Sequence, residues 1–427
     1  RVGKTPTLNA NLTSSTAVTF TSNNITWDGI NISNAFVDDN DNGGTIIRIA
    51  GTGSTYQDNI TIKNCTLTRG FSGIRGTDNI RNIIIDNVIV KETTNGSIRL
   101  GIPRLSGSMY ENYEDRTLAN YDVITASISN ITAIDTLSGS VIPGTTLKYD
   151  GVVLVKSAYN LNINKCTFVS GSDCVAVESS YNVNIDKISG NGYGGSTGND
   201  YGIALTSGND VVNISNCYFK PLQMASGDKT MIYIDTARNI SLIHNTCRYT
   251  HQFDSTLNTT NLRNVLKVEG NVFITDYNCP LVLNIASTVT SSAYSASFAD
   301  FQSENNNVLI SEGGGFDDLI LVSRILSGST NLRVRTNSGT GIISVSTYRS
   351  TYSGYGFNSY IYDAPETEFS TRTNPGGGTS APVYITATTS GSNLITASLS
   401  PSASIDLAGY TRVYPTDAGA YDRDATS

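Results

Sequence analysis

One short pattern, repeated nine times between residues 24 and 273, constrains this chain more than any other feature. It reads turn residue, apolar, any, apolar, any, any, apolar, any, apolar. Units open at Asn24, Asn59, Asn82, Thr125, Asn160, Asn182, Val211, Asn239 and Val265, as in NITIKNCTL, NIIIDNVIV and VVNISNCYF. Of the 36 apolar slots only Gly190, Asn245 and Asn271 depart from type. Alternation on either side of two unconstrained residues predicts two short strands that meet at a corner, each with one face inward. Intervals of 22 to 43 residues between units match the coils of a solenoid, the longer ones carrying inserted loops. Stacked coils would bring equivalent residues to about 4.8 Å. The Asn column at the corner then becomes a hydrogen-bond ladder, at a place where Asn tolerates unusual backbone angles.

A third strand precedes several units: DGVVLV from Asp150, DCVAV from Asp173, YGIAL from Tyr201 and TMIYI from Thr230. Three strands per coil predicts an all-β right-handed parallel β-helix. A β-sandwich of many short strands does not explain why one slot is refilled at coil spacing. A leucine-rich horseshoe is excluded because its Leu/Asn consensus is missing. The expected organisation is an entry segment of a larger chain over 1–22, the β-helix over 23–310 and a β-rich C-terminal region over 311–375. A β-prone tail follows over 376–427, suited to oligomerisation or a small second domain, because an open helix end is an exposed sheet edge.

Composition narrows the function classes. The 427 residues carry 15% charge and a net charge of −8, with no basic run, so nucleic acid is not an expected partner. No run of 18 apolar residues occurs, so no membrane insertion is expected. Two His and no CxxC pair leave little basis for a metal site or a Ser-His-Asp triad, and no cofactor is expected. Several of the six Cys occupy apolar slots of the repeat and read as stacked buried thiols rather than disulfides. The chain opens at Arg1, without Met, and is expected to be part of a longer polypeptide.

The third strands carry carboxylates in columns. Asp150 and Asp173 precede their strands one coil apart, and Tyr201 takes that place in the next coil, beside Asp200. On the outward face Glu178 and Asp235 share a column with Val155 and Thr206. Glycoside hydrolysis needs two carboxyl groups, about 5–5.5 Å apart for retention and about 6.5–9.5 Å for inversion. One coil gives about 4.8 Å and two about 9.6 Å, so Asp150/Asp173 is a candidate close pair and Glu178/Asp235 a distant one. The opposing expectation is that Asp at a corner only binds nearby backbone N–H groups. An insertion over residues 103–122 adds Tyr110, Tyr113 and Arg116 as candidate sugar contacts, and Tyr201, Tyr233 and Lys229 stand on or beside the third strands.

YDGVVLV, SDCVAVESSYNVNI and NDYGIALTSGN resemble successive coils of the polygalacturonase-type glycoside hydrolases. That resemblance matches Asp150 to the Asp of an NTDG-like segment and Asp173 to the second Asp of a DDC segment. It also leaves Ser172 where the family has its general acid, Tyr201 in place of His, and Tyr233 and Asp235 in place of Arg and Lys. Over most of its length the chain resembles a bacteriophage tailspike, with polar Asn/Ser/Thr/Gly-rich coils and a β-rich C-terminus. What this implies is an extracellular homotrimer on the virion tail, joined to other tail proteins, that binds and depolymerises a bacterial surface polysaccharide, capsule or O-antigen, by paired carboxylates. The alternatives are a non-catalytic receptor-binding spike or adhesin, and a secreted polysaccharide lyase or pectinase-like hydrolase.

Overall fold

The computed structural model describes residues 6–12, 16–35, 44–51, 55–104, 116–134, 152–169, 173–193, 200–221, 229–235 and 237–248, and beyond them chiefly the strands named below. The protein is an all-β parallel β-helix with three strands per coil. It divides into two compact units, residues 1–184 with 190–210 and 224–227, and residues 185–189 with 211–223 and 228–427.

In the first unit one parallel sheet is built from Val18–Phe20, Ile47–Ala50, Ile74–Thr77, Ile98–Leu100, Val153–Lys156, Val175–Glu178 and Asp200–Thr206. We call this the first face. The repeated pattern supplies the other two faces. Gln57–Gly70, Ile80–Thr93 and Val123–Ile134 each run through both halves of a repeat unit as one bent strand, stacked in parallel register.

The bend has a local cause. Asn24, Asn59, Asn82, Thr125, Asn160 and Asn182, the pattern openers of this unit, have φ between 53° and 60°. Five residues later Gly29, Asn64, Asn87, Asn130 and Lys165 are left-handed too, with φ of 50–71°. Asn and Gly accept this conformation most readily among L-residues. Two left-handed residues per unit turn the chain while its N–H and C=O groups stay paired with the coils on either side. Amide side chains then stack. Asn59 Nδ2 donates to Asn24 Oδ1 at 2.8 Å and Asn82 Nδ2 to Asn59 Oδ1 at 3.1 Å. A second ladder runs from Asn87 to Asn64 (2.8 Å) and from Asn64 to Asp28 (2.7 Å).

The apolar slots form the core. From the second repeat unit onward every slot whose burial is described is buried, Gly190 included. Four cysteines, Cys65, Cys166, Cys174 and Cys217, are buried free thiols, while the side chains of Cys247 and Cys279 lie outside the described residues. Burial pushes the Cys65 and Cys166 thiols up to about 12, and only the thiolate is nucleophilic. Iodoacetamide at pH 8 is therefore expected to leave Cys65 and Cys166 unlabelled in the native protein and to label both after denaturation, read by peptide mass mapping. Native labelling of either would contradict the stacked core.

The insertion that follows Ile98–Leu100 is tied back to the coils by one carboxylate. Asp122 is fully buried. Its Oδ1 accepts the backbone N–H of Asn79 at 2.9 Å, and its Oδ2 those of Asp78 at 3.2 Å and Ile102 at 3.1 Å. Arg104 adds Nε at 2.9 Å and Nη2 at 2.5 Å, both to Oδ1. Gly101, at φ +80°, lets the chain pass close beneath: a Cβ there would lie 2.0 Å from the Lys156 carbonyl oxygen.

In the second unit the left-handed corners include Lys187, Val211, Asn216, Asn239 and His244. Val211 is the costly member, since a β-branched residue is a poor fit to this region. Two core slots are filled by amides. Asn245 and Asn271 are fully buried. Asn245 Oδ1 accepts Cys217 N–H (2.9 Å), and its Nδ2 donates to Ile214 O and to Asn271 Oδ1 (3.0 Å each). Asn271 Nδ2 donates to Leu242 O at 2.9 Å, and its Oδ1 also accepts Asn245 N–H at 2.8 Å. Parallel pairing continues through Leu257–Glu269, Leu281–Ile285 and Ile320–Ile325, and from Val272–Thr275 through Val308–Ser311 to Tyr360–Asp363. Antiparallel pairs occur at Ile320–Ile325 with Asn331–Val334 and at Phe369–Thr373 with Val383–Ala387.

Candidate functional site

The first face carries Glu178 and Asp200, with Asp173 just before one of its strands, and its register corrects one column read from sequence. Val153 pairs with Val175; Asp150 lies outside the described residues. Val155 pairs with Val177 and is buried, so Lys156, not Val155, stands in the column of Glu178 and Thr206. The apolar run VVLV hides which of its residues point inward, and that ambiguity produced the one-residue offset.

Asp173 is half-buried, and its Oδ1 accepts the backbone N–H of Tyr201 at 2.7 Å. It thus performs the corner role that competes with catalysis, anchoring the next coil through one carboxylate oxygen. Glu178 pairs with Lys156 Nζ at 2.8 Å, and both side chains stay about a quarter exposed (25% and 22%). Asp200 opens the strand Asp200–Thr206, while Lys229 and Asp235 end the strand Lys229–Asp235 of the second unit. The side chains of these three lie outside the described residues. Tyr233 is half-buried in that same strand, opposite Asn258. Tyr110 and Tyr113 lie outside the described residues. Among the described residues no three His, Cys, Asp or Glu side chains converge as metal ligands.

A different face holds a cavity. A groove of about 550 Å³ runs across five coils of the first unit, over the first halves of the repeat units. One side is the left-handed corner column Asn59, Asn82, Thr125, Asn160 and Asn182. The floor is the outward column Thr61, Ile84, Ser127, Asn162 and Asn184. The first four floor residues are register partners, and Asn184 Nδ2 donates to Asn162 Oδ1 at 2.9 Å. Ile84 is 46% exposed, an apolar spot in a row of hydroxyls and amides. No residue lining the groove is titratable.

Tyrosines precede two residues of its corner column. Tyr159 and Tyr181 each immediately precede a groove-lining Asn, and their rings stack at 5.3 Å with an interplanar angle of 15°. Tyr121 meets Tyr159 at 5.4 Å, tilted by 59°. Burial pushes the Tyr121 phenol above its ordinary range, against the pull of Arg116, which hydrogen-bonds to it. Of the insertion residues proposed to contact sugar, Arg116 is therefore placed beside an aromatic stack.

The groove can offer amides that donate and accept, hydroxyls that do both, and a small apolar floor. Such a surface complements a neutral, hydroxyl-rich chain and cannot supply acid or base. Sequence reasoning missed it by treating the outward positions of the repeat as unconstrained. The available signal was their composition, for Thr61, Ser127, Asn162 and Asn184 are uncharged polar residues on a face where surface charge is common.

No protein-family model matches this chain, and no curated protein matches it. Among solved structures it is similar to one titled "The complex structure of XylC with xylose", at 9% identity, over 90% of this chain and 67% of that one, with a TM-score of 0.35.

Proposed function

We propose that this chain binds a bacterial surface polysaccharide, in the manner of a tailspike, along the groove of the repeat strands. The observation that supports this most is the five-coil row of amides and hydroxyls around the exposed Ile84, with the stacked Tyr159 and Tyr181 each next in sequence to a lining Asn. Coils at about 4.8 Å spacing present these groups periodically, as a polymer of similar units requires. In this reading the protein acts outside the bacterial cell, as a homotrimer on a virion tail. Depolymerisation is the second activity proposed. It falls to the carboxylates singled out from sequence: Glu178, which keeps a partly exposed carboxylate, with Asp150, Asp173, Asp200 and Asp235 as the other candidates.

The test uses purified capsule and O-antigen in affinity electrophoresis, with reducing ends assayed in parallel. Ile84→Glu puts a charge on an exposed floor position, and Ser127→Tyr fills the groove. Each is expected to weaken retention at least about tenfold, the scale of a lost apolar contact or a newly buried charge, with an unchanged far-UV spectrum. Wild-type retention by both variants would sink the groove as the binding site. Binding without new reducing ends would sink hydrolysis and leave a receptor-binding spike.

A further inference from the structure

We propose that the first face carries a second, charge-selective site: the column Arg48, Arg75 and Arg99, which binds the carboxylates of an acidic polysaccharide. The three arginines are register partners on adjacent parallel strands, Arg48 opposite Arg75 and Arg75 opposite Arg99. All three alternate with buried residues, Ile47 and Ile49, Ile74 and Gly76, Ile98 and Leu100, so they point outward. Arg48 and Arg75 are exposed and Arg99 is half-buried. Three guanidinium-bearing residues therefore stand in line at steps of about 4.8 Å.

Like charges directly opposite on neighbouring strands repel. Elsewhere in the same unit stacked charges avoid this. Lys63 sits on Asp28, Arg81 on Asp58, Glu92 on Arg69 and Glu178 on Lys156, each pair opposite in sign and within ion-pair distance. The arginine column breaks that rule three residues deep. Among the described residues neither Arg48 nor Arg75 has an ion-pair partner. An anion lying along the column supplies the missing charge.

Arginine also narrows the ligand. Its planar fork pairs bidentately with a carboxylate, and it holds its charge at any pH the protein meets. The column continues into Leu154, Ala176 and Ala204, which carry no charge. Arg48 and Arg75 in one file, with Arg99 next to them hydrogen-bonded to Asn95 Oδ1, suit a polymer with one charge per sugar. Duplex DNA carries a charge per about 1.7 Å and needs many contacts to bind at physiological salt, and a chain of net charge −8 opposes it. This site does not rest on the groove. A neutral glycan reads the groove and an acidic one reads the column, so either can fail alone.

The experiment titrates the full chain with polygalacturonate, with neutral dextran and with a short DNA duplex, by calorimetry at two salt concentrations. Polygalacturonate is expected to bind, more weakly at high salt. Arg48→Gln/Arg75→Gln is expected to weaken it at least about tenfold and to flatten the salt dependence, with no fall in melting temperature, because repulsion has been removed. Arg75→Lys is expected to lose part of the affinity, since charge is kept and the fork is not. The proposal is overturned if polygalacturonate does not bind, if the double variant binds it as wild type does, or if the duplex binds as tightly.

Discussion

Asp122→Ala is expected to destabilise the first unit by about 3–4 kcal/mol, one of the two largest effects of any single substitution considered. The carboxylate serves three backbone donors and one guanidinium at once, and it is fully buried. Alanine leaves Asp78, Asn79 and Ile102 N–H groups without their acceptor, and each stranded buried donor costs about 1–3 kcal/mol. The Arg104 side chain is 31% exposed, so water recovers part of its loss. Asp122→Asn keeps one acceptor oxygen and turns the other into a donor that faces donors, so it is expected to fall between. The measurement is a urea midpoint together with amide exchange at Asp78, Asn79 and Ile102. A change under about 1 kcal/mol, the scale of an ordinary exposed pair, would show that the carboxylate does not hold the insertion to the coils.

Asn245→Leu is expected to cost about 2–5 kcal/mol although it restores an apolar residue to an apolar slot. The slot no longer has apolar walls. Cys217 N–H and Ile214 C=O point into it and are satisfied by the Asn245 amide. Leucine strands both, together with part of Asn271. The double variant Asn245→Leu/Asn271→Leu is expected to give no rescue, because the orphaned groups belong to the backbone. Stability in a solenoid is local. The loss should therefore appear as faster exchange at Cys217 and its neighbours, with amides of the first unit unchanged. A neutral Asn245→Leu would mean that the buried amides are ornamental.

These two sites mark the limits of what the sequence made legible. The repeat revealed the coils, the three strands and the corner, because alternation and spacing follow directly from backbone geometry. Even the corner chemistry was readable: Asn at the openers became left-handed residues joined by amide ladders. The slot exceptions at Asn245 and Asn271 were visible as exceptions, but only the three-dimensional pairing shows that they satisfy each other. Asp122 was hidden because its partners lie 18 to 44 residues away. Val155 was placed one residue out of the Glu178 column, since strand ends give no signal of register when the run is apolar throughout. The groove escaped notice for the opposite reason. Its residues are small, neutral and common, and only their stacking makes them a surface.

Alternating charges along the coils have a further consequence, for the fidelity of folding. Coils so alike in pattern are exposed to one error above others: a coil passed over, with its neighbours closed onto each other. The hydrophobic core would not object, because the same slots are refilled in each coil. The file Asp28, Lys63, Asp86 would. Leaving out the middle coil brings Asp28 against Asp86, an attraction turned into a repulsion. The amides stack indifferently on any neighbour, so it is the signs of the charges that number the coils.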